Sequence, residues 1–149
     1  MKLSKGDKAP LFEGKDQDGN VVKLSDYRGK KVVLYFYPKD DTPGCTAQAC
    51  NLRDNYEALQ KANYVVLGVS SDDEKSHQKF IKKYNLPFTL VADPDKVINE
   101  LYGVWQEKTN FGKTYMGTVR TTFIIDENGI IDEIISKVTT ASHAEQILK

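Results

Sequence analysis

The run Lys31–Phe36 (KVVLYF) carries five apolar residues in a row after its opening lysine. A strand that faces water on one side alternates polar and apolar residues; one without alternation is buried on both faces. A sheet with such a strand needs packed layers on both sides, which restricts the chain to an α/β architecture. Tyr64–Ser70 (YVVLGVS) repeats the pattern, and a helix-forming stretch from Pro43 to about Ala62 lies between the two. Strand, helix, strand at this spacing predicts a parallel βαβ unit.

Before this unit, Phe12–Lys15 and Val21–Lys23 flank the turn-rich DQDGN and read as a hairpin, followed by a short helical turn over Leu24–Arg28 that ends at Gly29. After it, Ser71 and Glu74 have capping-box spacing and open a helix through Tyr84. Thr89–Ala92 reads as a short strand and Lys96–Tyr102 as a short helix stopped by Gly103. Thr121–Ile125 and Ile130–Ser136 flank Asp126-Glu127-Asn128-Gly129, a hairpin signal. Ser142 and Glu145 repeat the capping-box spacing before a last helix. The order predicts a mixed sheet flanked by helices, with an N-terminal hairpin extension. At 149 residues it fits one domain, 1–149, whose core needs no staple.

Basic and acidic side chains balance at 21 each, so no net field draws the chain toward nucleic acid or a membrane surface. There is no apolar stretch of spanning length, and MKLSKGDKAPLFEG lacks a secretory h-region. A cytoplasmic location is the expectation, and there a disulfide is more often catalytic or sensing than structural.

Both cysteines, Cys45 and Cys50, fall in PKDDTPGCTAQAC, Pro38–Cys50. The Pro-Gly pair before Cys45 starts a helix and puts the first thiol in its opening turn, where free N–H groups and the macrodipole favour an anion. At about 100° per residue, Ala49, Leu52, Tyr56 and Leu59 lie within roughly 40° of Cys45, on an apolar stripe. Cys50 is about 140° away, among Asp54, Glu57 and Lys61. In an intact helix the two Cα atoms are roughly 8.6 Å apart, whereas a disulfide needs less than about 7 Å. If the pair reacts, the first turns must unwind.

A thiol of ordinary pKa, about 8.5, is only about 3% ionised at pH 7, and lowering that pKa to about 6 gains roughly thirtyfold in thiolate. Nucleophilicity falls with basicity and removes roughly tenfold of the gain. A fast thiol therefore needs groups that stabilise its transition state. Candidates nearby are the Thr42 hydroxyl and the backbone N–H groups of Gly44 and Cys45. A fixed guanidinium would also serve, and the arginines are Arg28, Arg53 and Arg120. Arg53 sits two turns down the cysteine helix, and Arg120 directly precedes a buried strand. Nothing local chooses among the three.

PKDDTPGC fits the Pro-x-x-x-Thr-x-x-Cys pattern of peroxiredoxins, with Pro38, Thr42 and Cys45 in place. A second cysteine five residues on resembles the bacterioferritin-comigratory, or Q-type, subfamily. LSDYRGKKVVLYFYP and GVWQEKTNFGKTYMGTVRTTFIID extend the likeness over nearly the whole chain. The resemblance implies a thioredoxin-like fold and a thiol peroxidase that uses no metal or other cofactor. It implies that Cys45 attacks a peroxide and becomes a sulfenic acid, and that Cys50 resolves it as an intramolecular disulfide. A thioredoxin- or glutaredoxin-like dithiol then reduces that bond. Pro38 shields the pocket, Thr42 bonds thiolate and peroxide, and Arg120, which matches the family's arginine, stabilises both. Gln48 stands where many relatives carry Glu, implying altered polar bonding near the site. The expected assembly is a monomer or weak associate.

Two other readings share the chemistry. A redox sensor would oxidise once and wait for a partner. A thioredoxin-type disulfide reductase would want Cys-x-x-Cys instead of the Cys-x-x-x-x-Cys present. His77 and His143 share no spacing with Cys45 and are expected in solvent. Trp105, Phe111 and Tyr115 are expected to pack within a loop, and the Lys79–Lys83 run to form an exposed helix face.

Overall fold

The computed structural model describes residues 2–149. Strands β1 (Glu13–Asp16) and β2 (Val21–Lys23) form the N-terminal hairpin, and β3 (Lys31–Phe36) is the first central strand. Helices α1 (Pro43–Asp54) and α2 (Tyr56–Lys61) lead to β4 (Tyr64–Ser70), and α3 (Glu74–Tyr84) to β5 (Thr89–Ala92). Helix α4 (Val97–Leu101) precedes β6 (Trp105–Asn110) and β7 (Lys113–Thr118); β8 (Thr121–Ile125), β9 (Ile131–Ile135) and α5 (His143–Leu148) close the fold.

Seven strands make one sheet in the order β2-β1-β5-β4-β3-β8-β9. The three inner strands β5, β4 and β3 run parallel, with Val33 beside Val66 and Gly68 beside Leu90. β8 is antiparallel to β3, which brings Thr121 level with Phe36 at the strand end nearest the cysteine loop. The unbroken apolar runs are explained by two cores. Val32, Leu34, Phe36, Phe123 and Ile125 face one way, against Phe12, Leu24, Ile98 and Tyr102. Val33, Tyr35 and Ile124 face the other, against Cys45, Ala49 and Leu52 of α1, Leu59 of α2, Phe80 of α3 and Ile147 of α5. The mixed sheet with helices and an N-terminal hairpin matches the expectation. Among the described residues no helix is long and apolar enough to cross a membrane.

Four local features differ from the sequence reading. The helix from Pro43 stops at Asp54 and restarts at Tyr56. The Asn55 side chain donates to the Asn51 carbonyl at 2.9 Å, competing for the acceptor that its own N–H reaches at 3.2 Å. Helix α3 is capped by Asp73, which accepts from the Ser76 N–H at 2.8 Å, and not by Ser71. Ser142 makes no side-chain cap to α5; Asn51 of α1 does so instead, its Oδ1 accepting from the Ala144 N–H at 2.7 Å. Residues 105–118 are a two-stranded hairpin and not a loop. Its turn residues Phe111 and Gly112 both have positive φ, as type I′ turns require. WQEKTN has no apolar alternation, so the hairpin gave no signal. Phe111, expected to pack, is 97% exposed at its tip, and Tyr115 is 47% exposed.

Both histidines are fully buried, which corrects their assignment to solvent. His143 Nδ1 lies 2.8 Å from Gln146 Oε1 and its Nε2 lies 2.8 Å from the Thr122 hydroxyl. The Gln146 amide is oriented by the Thr139 N–H and the Lys137 carbonyl. Its oxygen can only accept, so the His143 proton sits on Nδ1 and the Thr122 hydroxyl donates to Nε2. Burial pushes the His143 pKa below its usual 6.5 and the charge on Arg120 adds to this, against the Gln146 bond. The unfolded chain thus binds this proton more readily than the folded one. Stability from His143 is complete above about pH 6.5 and is lost as pH falls through that value, by at most about 1.4 kcal/mol per unit. Urea midpoints at pH 7.5 and 5.5 should fall more for wild type than for His143→Gln; equal falls would contradict the assignment.

Candidate active site

The loop between β3 and α1 carries most of the site. Pro38 follows Tyr37 as the chain leaves the sheet, half-buried. Thr42 is the N-cap of α1 with extended backbone (φ −102°, ψ 157°), and Pro43 holds the first helical position, where a missing N–H is harmless. Thr42 does not cap with its side chain. Its Oγ1 donates to the Lys39 carbonyl at 2.8 Å, so toward the site the hydroxyl offers only lone pairs. The first helical hydrogen bond runs from the Thr46 N–H to the Thr42 carbonyl, leaving the Gly44 and Cys45 N–H groups ahead of the ladder.

Cys45 is 1% exposed and faces the core between α1 and the sheet, as the apolar stripe predicts. Cys50 is half-buried on the same intact helix, and both thiols are free. Arg120 enters from the start of β8. Its guanidinium donates to Cys45 Sγ at 3.3 Å and to Gln48 Oε1 at 2.6 Å. Of the three arginines left open, this one reaches the thiol; Arg53 turns away to the Tyr84 carbonyl and Asp54. A Cβ built at Gly44 would stand 3.2 Å from an Arg120 terminal nitrogen, so glycine there makes room for the guanidinium.

Arg120 and Gly44 thus meet at Cys45, Pro38 and Thr42 lie on the loop that leads into α1, and Cys50 stands apart along α1. Gln48, fully buried, fixes one arm of Arg120 with a neutral oxygen, so the guanidinium keeps its full charge toward the sulfur. Sequence reasoning missed Asp40 and His77 beneath the loop. Asp40 accepts from the Tyr37 hydroxyl at 2.5 Å and the Ser76 hydroxyl at 2.8 Å, and lies 2.7 Å from His77 Nδ1. The available signal was helical spacing: His77, Phe80, Ile81 and Tyr84 share one face of α3, an apolar stripe with His77 in it. On the surface, Asp41 takes bonds from Lys83 and Tyr84 at 2.8 Å each, which lower its carboxyl below the usual range.

A buried thiol beneath a guanidinium, in the first turn of a helix, is equipped for attack on a small electrophile that becomes anionic. Residues 5–134 match the AhpC/TSA family, and the chain belongs to it: the protein is a peroxiredoxin, a thiol peroxidase on the thioredoxin-like fold. The proteins it resembles include peroxiredoxins named Bcp and PrxQ, of the bacterioferritin-comigratory, or Q-type, group. It is 51% identical over 148 residues to a putative peroxiredoxin Bcp of Coxiella burnetii, covering 99% of this chain and 98% of that one. It is 47% identical over 149 residues to peroxiredoxin Bcp of Bacillus subtilis, covering 100% and 95%. Among solved structures, a cysteine-to-serine variant of Xylella fastidiosa PrxQ superposes with a TM-score of 0.93 at 33% identity, covering 99% of this chain and 94% of that one.

Proposed function

We propose that the protein reduces hydrogen peroxide and organic hydroperoxides through Cys45, with Cys50 as the resolving thiol. The observation that carries this is the Arg120 guanidinium 3.3 Å from Cys45 Sγ. The Cys45 thiolate attacks one peroxide oxygen, the O–O bond breaks, and the departing oxygen leaves as hydroxide or alkoxide and takes up a proton. Arg120 and the Gly44 and Cys45 N–H groups stabilise the charge as it passes from sulfur to oxygen. Thr42 accepts a hydrogen bond from the peroxide hydroxyl, and Pro38 keeps water from the sulfur. The Cys50 thiol then attacks the Cys45 sulfenic acid, forming the S–S bond and releasing water. A thioredoxin- or glutaredoxin-like dithiol exchanges with that disulfide and is itself oxidised. We read the setting as cytoplasmic and the working unit as a monomer.

Because both cysteines lie on an intact α1, the second step requires α1 to open. The experiment is stopped-flow addition of one equivalent of hydrogen peroxide to reduced protein, followed by thiol count, intact mass and amide exchange. Two thiols and two hydrogens should disappear far faster than free cysteine reacts, with exchange over Thr46–Leu52 slow before and fast after. Loss at the rate of an ordinary thiol would overturn the peroxidase reading and favour a sensor. Equal protection in both states would remove the opening of α1.

A further inference from the structure

The Thr42 hydroxyl has one proton, and it is committed to the Lys39 carbonyl. The orientation of that carbonyl therefore sets where the Thr42 lone pairs point. The Lys39 carbonyl and the Asp40 N–H belong to one planar peptide group, so they turn together. The N–H end is held by Asp72 Oδ2 at 2.8 Å. The adjoining Asp40 side chain is held from three directions, by Tyr37, Ser76 and His77.

Of these three, His77 ties the loop back to the sheet. Its Nε2 lies 3.1 Å from the Val91 carbonyl on β5, an oxygen that only accepts, so Nε2 carries a proton. Its Nδ1 faces the carboxylate, which takes a second bond from Ser76 on the same oxygen. The His77 side chain is fully buried and the Asp40 side chain 4% exposed. Such a pair is held in one geometry by packing as well as by bonding. It lies outside the set of residues that touch the sulfur, and the chemistry described above leaves it unused.

We propose that His77 is a positioning residue for peroxide reduction, acting through Asp40 and the Lys39–Asp40 peptide on the acceptor face of the Thr42 hydroxyl. This rests on the reading of Cys45 and Thr42 given under the proposed function. Asp72 fixes only the N–H end of that peptide. Without the His77–Asp40 bond the Asp40 side chain loses its tie to β5, the peptide tilts about its Asp72 anchor, and the Thr42 oxygen leaves the line of the incoming peroxide O–H. Misplacement of a positioning group by about 1 Å lowers a rate by up to about a hundredfold.

Two substitutions separate the two bonds of His77. His77→Asn puts an amide nitrogen where Nδ1 stands and keeps the bond to Asp40. His77→Gln puts one where Nε2 stands and keeps the bond to Val91. In a Cys50→Ser background, so that only Cys45 is read, each variant is reacted with hydrogen peroxide and separately with N-ethylmaleimide. The maleimide has no hydrogen-bond donor to offer Thr42. His77→Gln should lose at least about tenfold in the peroxide rate and His77→Asn should stay within about threefold. Both should stay within about threefold of the parent with maleimide.

Equal peroxide losses in the two variants, no loss in either, or parallel losses with both reagents would overturn the proposal. Asp40→Asn, equal in shape to the native residue, guards against misfolding of the His77 variants. It should show the same selective loss, and a peroxide rate equal to the parent's would likewise overturn the role. A parent no faster with peroxide than free cysteine would instead remove the peroxidase reading itself.

Discussion

Cys45→Ser is expected to end peroxide consumption altogether, while Cys50→Ser keeps one fast oxidation and then stalls. The two cysteines sit five residues apart on one helix, yet their surroundings differ. Cys45 is 1% exposed beneath Arg120, whereas Cys50 is half-buried and, among the described residues, makes no hydrogen bond to the guanidinium. Only the thiolate is a competent nucleophile, and a serine hydroxyl remains protonated in the same position. Serine is close in size to cysteine and can accept from Arg120, so the fold should survive. Peroxide loss in the presence of a dithiol protein reports turnover, and a single-turnover trace reports the first oxidation. Matching steady-state rates for Cys50→Ser and wild type would remove Cys50 from the cycle. Measurable turnover by Cys45→Ser would move the chemistry elsewhere.

Arg120→Ala is expected to slow the first oxidation by about a hundredfold to a thousandfold, the range for removal of a preorganised charge from a transition state. Adjusting a thiol's ionisation yields only a few-fold change in rate, as the opposing trends in thiolate fraction and nucleophilicity require. The guanidinium does more because it is already in place before the O–O bond breaks, with one arm on Gln48 and the other on the sulfur. Arg120→Lys should recover little, since an ammonium cannot hold both partners in a planar fork. A pH series of the oxidation rate separates the two effects. If the whole loss followed a measured change in thiol ionisation, the charge would have no role in the transition state.

How much of this was legible depended on how local each signal is. KVVLYF and YVVLGVS announced buried strands because burial on two faces removes the polar alternation, and both lie where expected. The apolar stripe put Cys45 against the core for the same reason. Arg120 could not be chosen from its neighbours, because its reach to Cys45 depends on β8 pairing antiparallel with β3, a contact between residues far apart in the chain. The family resemblance supplied that choice. His77 and His143 were misjudged because their partners, Asp40 and Thr122, come from distant segments. The hairpin over 105–118 was missed because its strands are mostly exposed and its turn carries Phe-Gly in place of the usual Asn-Gly.

The interruption at Asn55 has a bearing on the disulfide cycle proposed above. Asn55 closes α1 and opens α2, and the Arg53 and Asn51 carbonyls accept its N–H. Leu59 anchors α2 in the core independently, at 0% exposure. A continuous helix would melt as one cooperative unit, since each turn supports the next. Here the joint acts as a firebreak: α1 can come apart while α2 keeps its seat on the sheet. The backbone rearrangement is thereby kept to about a dozen residues, a length of helix only marginally stable alone. What it must release elsewhere is the Asn51 cap on α5 and the α1 side chains in the core, while α2 stays seated.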